Sequence, residues 1–208
     1  MTAAITPFPT RSPLPFDPAL PATERHGMLL SALPPALRSV LEAGSVECRP
    51  RFSEERFDGM TERWFPPAMV TPQDAAMARR ALDDMAETVL APVAPNHLLA
   101  RILALLSHYP AKSMAPDVEQ LIALDWASDL GEYPAWAIDA AVRTWRRTKK
   151  WRPSIAEMRA ICEEMCAQER ALADRLRAVV KAGEGERQDT RPTGQVRAMA
   201  AKSIRGMW

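Results

Sequence analysis

The distribution of glycine and proline constrains this chain more than any other feature. Between Met60 and Ala182 the only glycine is Gly131, and the prolines of that stretch fall between periodic segments. Glycine adds backbone entropy to the unfolded state, and proline removes a backbone donor and clashes with the preceding turn. A long stretch nearly free of the first and punctuated by the second reads as helices joined by short connections. Proline is dense instead from Pro7 to Pro35, where Pro7, Pro9, Pro13, Pro15, Pro18 and Pro21 support neither a helix nor a sheet ladder.

Residues 1–22 are therefore expected to be a disordered, partly polyproline arm. Residues 23–70 read as a short helix and a linker, the helix running from Pro34 or Pro35 through Glu42 with Gly44 as its C-cap. The main domain is expected over 71–182. It opens at Thr71-Pro72-Gln73-Asp74, with threonine at the N-cap, proline at the first helical position and an acid at the third. That helix is predicted to reach about Leu90, and a second to span Asn96 to His108. A third runs from Pro116 to Leu130 on the ridge Val118, Ile122, Trp126 and Leu130, with Gly131 at its cap. The fourth starts near Pro134, and Ile138, Ala141, Val142 and Trp145 share one of its faces.

Ser154 and Glu157 form a capping box that opens a fifth helix, predicted to end near Val180. Along it Ile155, Met158, Cys162, Met165, Leu172, Leu176 and Val179 make a heptad seam interrupted by Glu169. Residues 183–208 read as a flexible basic tail. No internal repeat and no strand pattern is visible. The expected fold class is all-α: a small bundle of about five helices with disordered N- and C-terminal arms.

With 208 residues, 47% of them hydrophobic and 25% charged, the chain can bury a core. Its 27 basic and 26 acidic residues leave a net charge of +1, so no global field draws it to nucleic acid or membrane. Any electrostatic partner must be met by a local patch. Apolar runs such as Ile102 to Leu106 are far short of the ~20 residues that span a bilayer. The N-terminus lacks a secretory pattern, and three cysteines without framework spacing suit a reducing compartment. A cytoplasmic location is expected.

Neither a G-x-x-x-x-G-K-[ST] loop nor a G-x-G-x-x-G turn occurs, and no catalytic constellation stands out, so a non-enzymatic chain without cofactor or metal is expected. A two-Cys, two-His zinc site from Cys162, Cys166, His97 and His108 competes with a simpler reading. Cys162 sits on the apolar seam, where a free thiol acts as a small hydrophobe, and that reading is preferred.

The most informative local segment is Arg143-Thr-Trp-Arg-Arg-Thr-Lys-Lys-Trp-Arg152. It holds six bases, two tryptophans and no acid. Arg143, Arg146, Arg147 and Lys150 repeat the i, i+3, i+4, i+7 spacing, and with Lys149 and Arg152 they could neutralise phosphates while Trp151 stacks on a base. The competing reading is structural: cations complement the C-terminal end of a helix, and arginine stems cover apolar surface. Trp126, Trp136 and Trp145 read as core. In the tail, Arg197, Met199, Lys202, Ile204, Arg205, Met207 and Trp208 could fold onto a protein partner.

One resemblance covers about fifty residues. From Pro116 to Glu164 the chain presents Trp126, then Tyr133-Pro134, then Ala141-Val142, then Trp151-Arg-Pro153-Ser154-Ile155-Ala156-Glu157. This order resembles the small helical domain of phage replicative-helicase loader/inhibitor proteins. The resemblance implies a non-ATPase accessory protein of DNA replication, in a phage or prophage, that binds a hexameric replicative helicase through its C-terminal region. Two alternatives stand beside it. One is a DNA-binding regulator using residues 143–152, and the other is a structural protein that dimerises through the seam Ile155 to Val179.

Overall fold

The computed structural model describes residues 14–53, 56–110 and 115–189. Its described residues form seven helices and one two-stranded sheet: α1 (Ala22–Ala32), α2 (Pro35–Ala43), β1 (Ser45–Ser53), β2 (Arg56–Phe65), α3 (Pro72–Glu87), α4 (Pro95–Leu106), α5 (Pro116–Leu130), α6 (Ala135–Thr148) and α7 (Ile155–Asp189). The fold is therefore mostly helical but not all-α. The chain divides into two compact units, one of residues 1–33 and 81–174, the other of residues 34–80 and 175–208. The division falls inside α3 and α7, not at Thr71.

In the first unit α4, α5, α6 and the N-terminal part of α7 surround one core. The apolar face of α6 supplies Ala137, Ile138, Ala141, Val142 and Trp145, all buried. Leu98, Ile102, Leu105 and Leu106 come from α4, and Met158, Cys162 and Cys166 from α7. Prolines at the first helical position start α4 and α5; the sequence reading places Pro116 there but begins α4 one residue late, at Asn96. The turn between α5 and α6 is held by Tyr133, whose carbonyl accepts from the Val93 amide at 2.9 Å and whose hydroxyl donates to Glu163 Oε1 at 2.6 Å. Burial, then the Glu163 hydrogen bond, pushes the phenol well above its ordinary range. Gly131 is the C-cap of α5, as expected, and holds a right-handed conformation there at φ −63°.

The capping box that opens α7 is complete. Ser154 Oγ lies 2.7 Å from Glu157 Oε2, and the Ser154 and Glu157 amides donate across the box at 2.9 and 3.2 Å. From there most of the seam is buried: Met158, Cys162, Glu169, Leu172, Leu176 and Val179 are all at most 1% exposed, and Ile155 and Met165 are half-buried.

The first unit also contains α1, which the sequence reading left as linker. Its Arg25 is buried and paired with the buried Glu169. Phe16, from the segment expected to be a disordered arm, packs against Trp136 with ring centroids 5.2 Å apart and planes tilted by 54°.

In the second unit the expected linker forms an antiparallel hairpin, pairing Ser45 with Phe65 through to Ser53 with Arg56. Its register shifts between Pro50 and Phe52, and Gly59 sits at φ +108°, a conformation that favours glycine. Gly44 is favoured for another reason: a Cβ there would run into the Trp64 ring. The Thr71–Asp74 box opens α3, the hydroxyl and carboxylate 2.7 Å apart.

Gly183 does not begin a tail. It is buried within α7, which continues to Asp189, and a Cβ on it would stand 2.7 Å from that of Ala75.

Candidate nucleic-acid interface

The corner between α6 and α7 is built around Trp145. This side chain is 2% exposed, and its indole donates to the Trp151 carbonyl at 3.0 Å. The two tryptophan rings meet edge to face, with centroids 6.1 Å apart and an interplanar angle of 90°. Trp151 itself is 54% exposed. Its indole reaches Glu157 Oε1 at 3.4 Å, and Lys149 Nζ lies 5.3 Å from its ring centroid. A core tryptophan thus holds the backbone beneath an exposed one. Such a ring is presented to solvent on a fixed base, as stacking requires.

The cations distribute more unevenly than their spacing suggests. Arg143, Arg146 and Arg147 project from α6 on the side away from the buried face and are exposed. The helix stops at Thr148, with Lys149 in an extended conformation at φ −121° and ψ 143°. Lys150 therefore leaves the helical series in which its spacing placed it, although it too is exposed. Arg152 departs furthest. It is half-buried and lines a groove between α4 and α5 instead of joining the stripe.

Among the described residues none of these six bases forms an ion pair with a carboxylate. Other cations of the first unit behave differently. Arg101 contacts Asp139, and Arg159 and Arg170 bridge Glu132 and Glu163 around Tyr133. The C-terminal end of α6 does favour Arg146 and Arg147 through its dipole. That effect falls off within the last turn and does not account for Lys149, Lys150 and the exposed ring.

The two core cysteines lie on the buried face of α7, and burial pushes both thiols up to about 12. His97 is exposed beside Asp139 at 3.2 Å, and among the described residues no three His, Cys, Asp or Glu side chains converge as metal ligands. The tryptophans expected in the core divide: Trp126 and Trp145 are buried, and Trp136 is half-buried with its indole donating to the Val89 carbonyl at 2.8 Å. Val118, the first residue of the expected ridge, is exposed, and Ile122 is half-buried.

The partner-binding candidates Arg197, Met199, Lys202, Ile204, Arg205, Met207 and Trp208 lie outside the described residues. No helix among the described residues is long and apolar enough to cross a membrane.

The sequence reading missed the α4–α5 groove and the Arg25–Glu169 pair. The groove has a periodic signal in each helix, but nothing in either helix reveals that the two stripes converge.

No protein-family model, no characterised protein and no solved structure matches this chain.

Proposed function

We propose that this chain is a non-enzymatic DNA-replication accessory protein that holds single-stranded nucleic acid at the α6–α7 corner. One observation carries the reading. Five exposed bases, Arg143, Arg146, Arg147, Lys149 and Lys150, form no ion pair with a carboxylate among the described residues, and they lead into an exposed, anchored tryptophan whose ring centroid lies 5.3 Å from Lys149 Nζ. Bases supply sequence-independent attraction to phosphate, and an exposed indole adds stacking that only an unpaired base can accept. Single strands are favoured over duplex for that reason.

A helicase partner is the second component of this reading. Its support is the resemblance over residues 116–164, together with helices and a capping box in the order that resemblance implies. A setting in the cytoplasm of a phage-infected or prophage-carrying cell belongs to the same component.

The test is fluorescence anisotropy with a labelled deoxythymidine oligonucleotide of about fifteen nucleotides. Affinity should fall with salt, and Arg146→Ala/Arg147→Ala should flatten the log–log salt slope by about 1.4, two phosphate contacts at ~0.7 each. Trp151→Ala should weaken binding by about 1–3 kcal/mol with little change in slope. Unchanged binding in both variants removes the corner from the account. Light scattering of the chain mixed with a hexameric replicative helicase tests the second component separately.

A further inference from the structure

The α4–α5 groove has features that the nucleic-acid reading does not use. Its volume is about 270 Å³. From α4 it is lined by Leu99, Ile102, Leu103 and Leu106, which follow i, i+3, i+4, i+7. From α5 it is lined by Glu119, Ile122, Ala123 and Trp126, which follow the same spacing. Two side-chain rows, each about two helical turns long, line one slot. That is the receptor side of helix-in-groove packing, in which a third helix lays its own ridge between two others. Leu103 lines the slot and is still 57% exposed, so the chain itself leaves this surface uncovered among its described residues.

Charge narrows the occupant. The two charged residues in the lining are Glu119 and Arg152. Glu119 is exposed, and water can satisfy it. Arg152 is half-buried with no carboxylate partner among the described residues, so its guanidinium is the charge left uncompensated. A carboxylate from the occupant would meet it with charge-assisted hydrogen bonds. Lys149 and Lys150, close by in the chain, bias approach the same way.

We infer that this groove binds an amphipathic helix of a partner protein that carries an acidic residue beside its apolar ridge. Apolar side chains at i, i+3 or i+4, and i+7 fill the slot, and the acid pairs with Arg152.

The experiment uses the full chain as bait for a displayed library of amphipathic helices about sixteen residues long, with fixed apolar ridges and randomised polar positions. Selected helices should be enriched in Asp or Glu at one position beside the ridge. They should bind Ala123→Trp, which fills the slot, at least tenfold more weakly. They should also exchange their acidic preference for a basic one when Arg152→Glu is the bait. Thermal melting checks that each variant folds, and the charge exchange keeps the test decisive if Ala123→Trp does not. Absence of selected helices, indifference to Ala123→Trp, or a preference unmoved by Arg152→Glu overturns the inference. A dimer of the free chain that Leu103→Lys dissociates overturns it too, because the occupant is then a second copy.

Discussion

Arg25 and Glu169, 144 residues apart in sequence, form a buried ion pair with Nε 2.8 Å from Oε1. The guanidinium also donates to the Leu20 carbonyl at 3.0 Å and the Met165 carbonyl at 2.9 Å, and it lies 4.9 Å from the centroid of the Trp136 ring. Its donors are thus distributed over three acceptors, which is the condition under which a buried charge is tolerated. Glu169 is the residue that interrupts the apolar seam of α7, and this partner explains the interruption.

Removing one member of the pair strands the other. Arg25→Ala should destabilise the chain by about 3–5 kcal/mol, because a buried carboxylate is left unpaired. The double variant Arg25→Met/Glu169→Leu should recover most of that loss. Urea unfolding of Arg25→Met, Glu169→Leu and the double variant, read as a double-mutant cycle, measures the coupling directly.

The capping box makes the start of α7 sensitive to acid. Hydrogen bonds from the Ser154 amide and then its hydroxyl hold the Glu157 carboxyl below its ordinary range. A carboxyl depressed in the folded state stabilises fully above its unfolded pKa and loses that contribution as pH falls through the folded value. The difference in Tm between the wild-type chain and Glu157→Gln should therefore shrink on acidification below the ordinary carboxylate range. Ser154→Ala should cost about 1 kcal/mol near neutral pH.

The thiols should separate into two classes. Cys48 is exposed, whereas burial pushes Cys162 and Cys166 up to about 12. A thiol-reactive chromogenic disulfide at about pH 8 should therefore titrate one cysteine in the folded chain and all three in denaturant. Rapid reaction of three in the folded chain would contradict the packing of α7.

Two glycines of α7 should respond oppositely to substitution. Gly183→Val drives a side chain into Ala75 and should cost about 1–3 kcal/mol through overpacking. Gly185 has nothing within 4 Å of a Cβ, so Gly185→Ala should stabilise the helix by about 0.5–1 kcal/mol. Thermal melts of the two variants check both signs.

The helices from α3 to α7 were legible because their starts are chemical. Thr71 with Asp74, the prolines at 72 and 116, and Ser154 with Glu157 act locally, and local signals survive in a one-dimensional reading. The hairpin was not legible. Its apolar residues Val46, Phe57 and Met60 are more than half exposed, so no buried face imposes alternation, and Pro50 lies within β1. Gly183 was misread as a stop because a glycine chosen for close helix contact looks, in sequence, like one chosen to end a helix. The basic corner was visible from composition alone. What separates Arg152 from its neighbours is the end of α6 at Thr148, which a spacing argument carried past.

The corner also separates what holds from what touches. Trp145 secures residue 151 chiefly through its main-chain carbonyl, an atom every amino acid possesses. Selection is therefore free to exchange the side chain displayed there, ring for cation or cation for amide, without renegotiating the scaffold. Relatives of this chain should keep the tryptophan underneath more faithfully than the residue on top. Divergence at 151 would then record changes of ligand, not loss of fold.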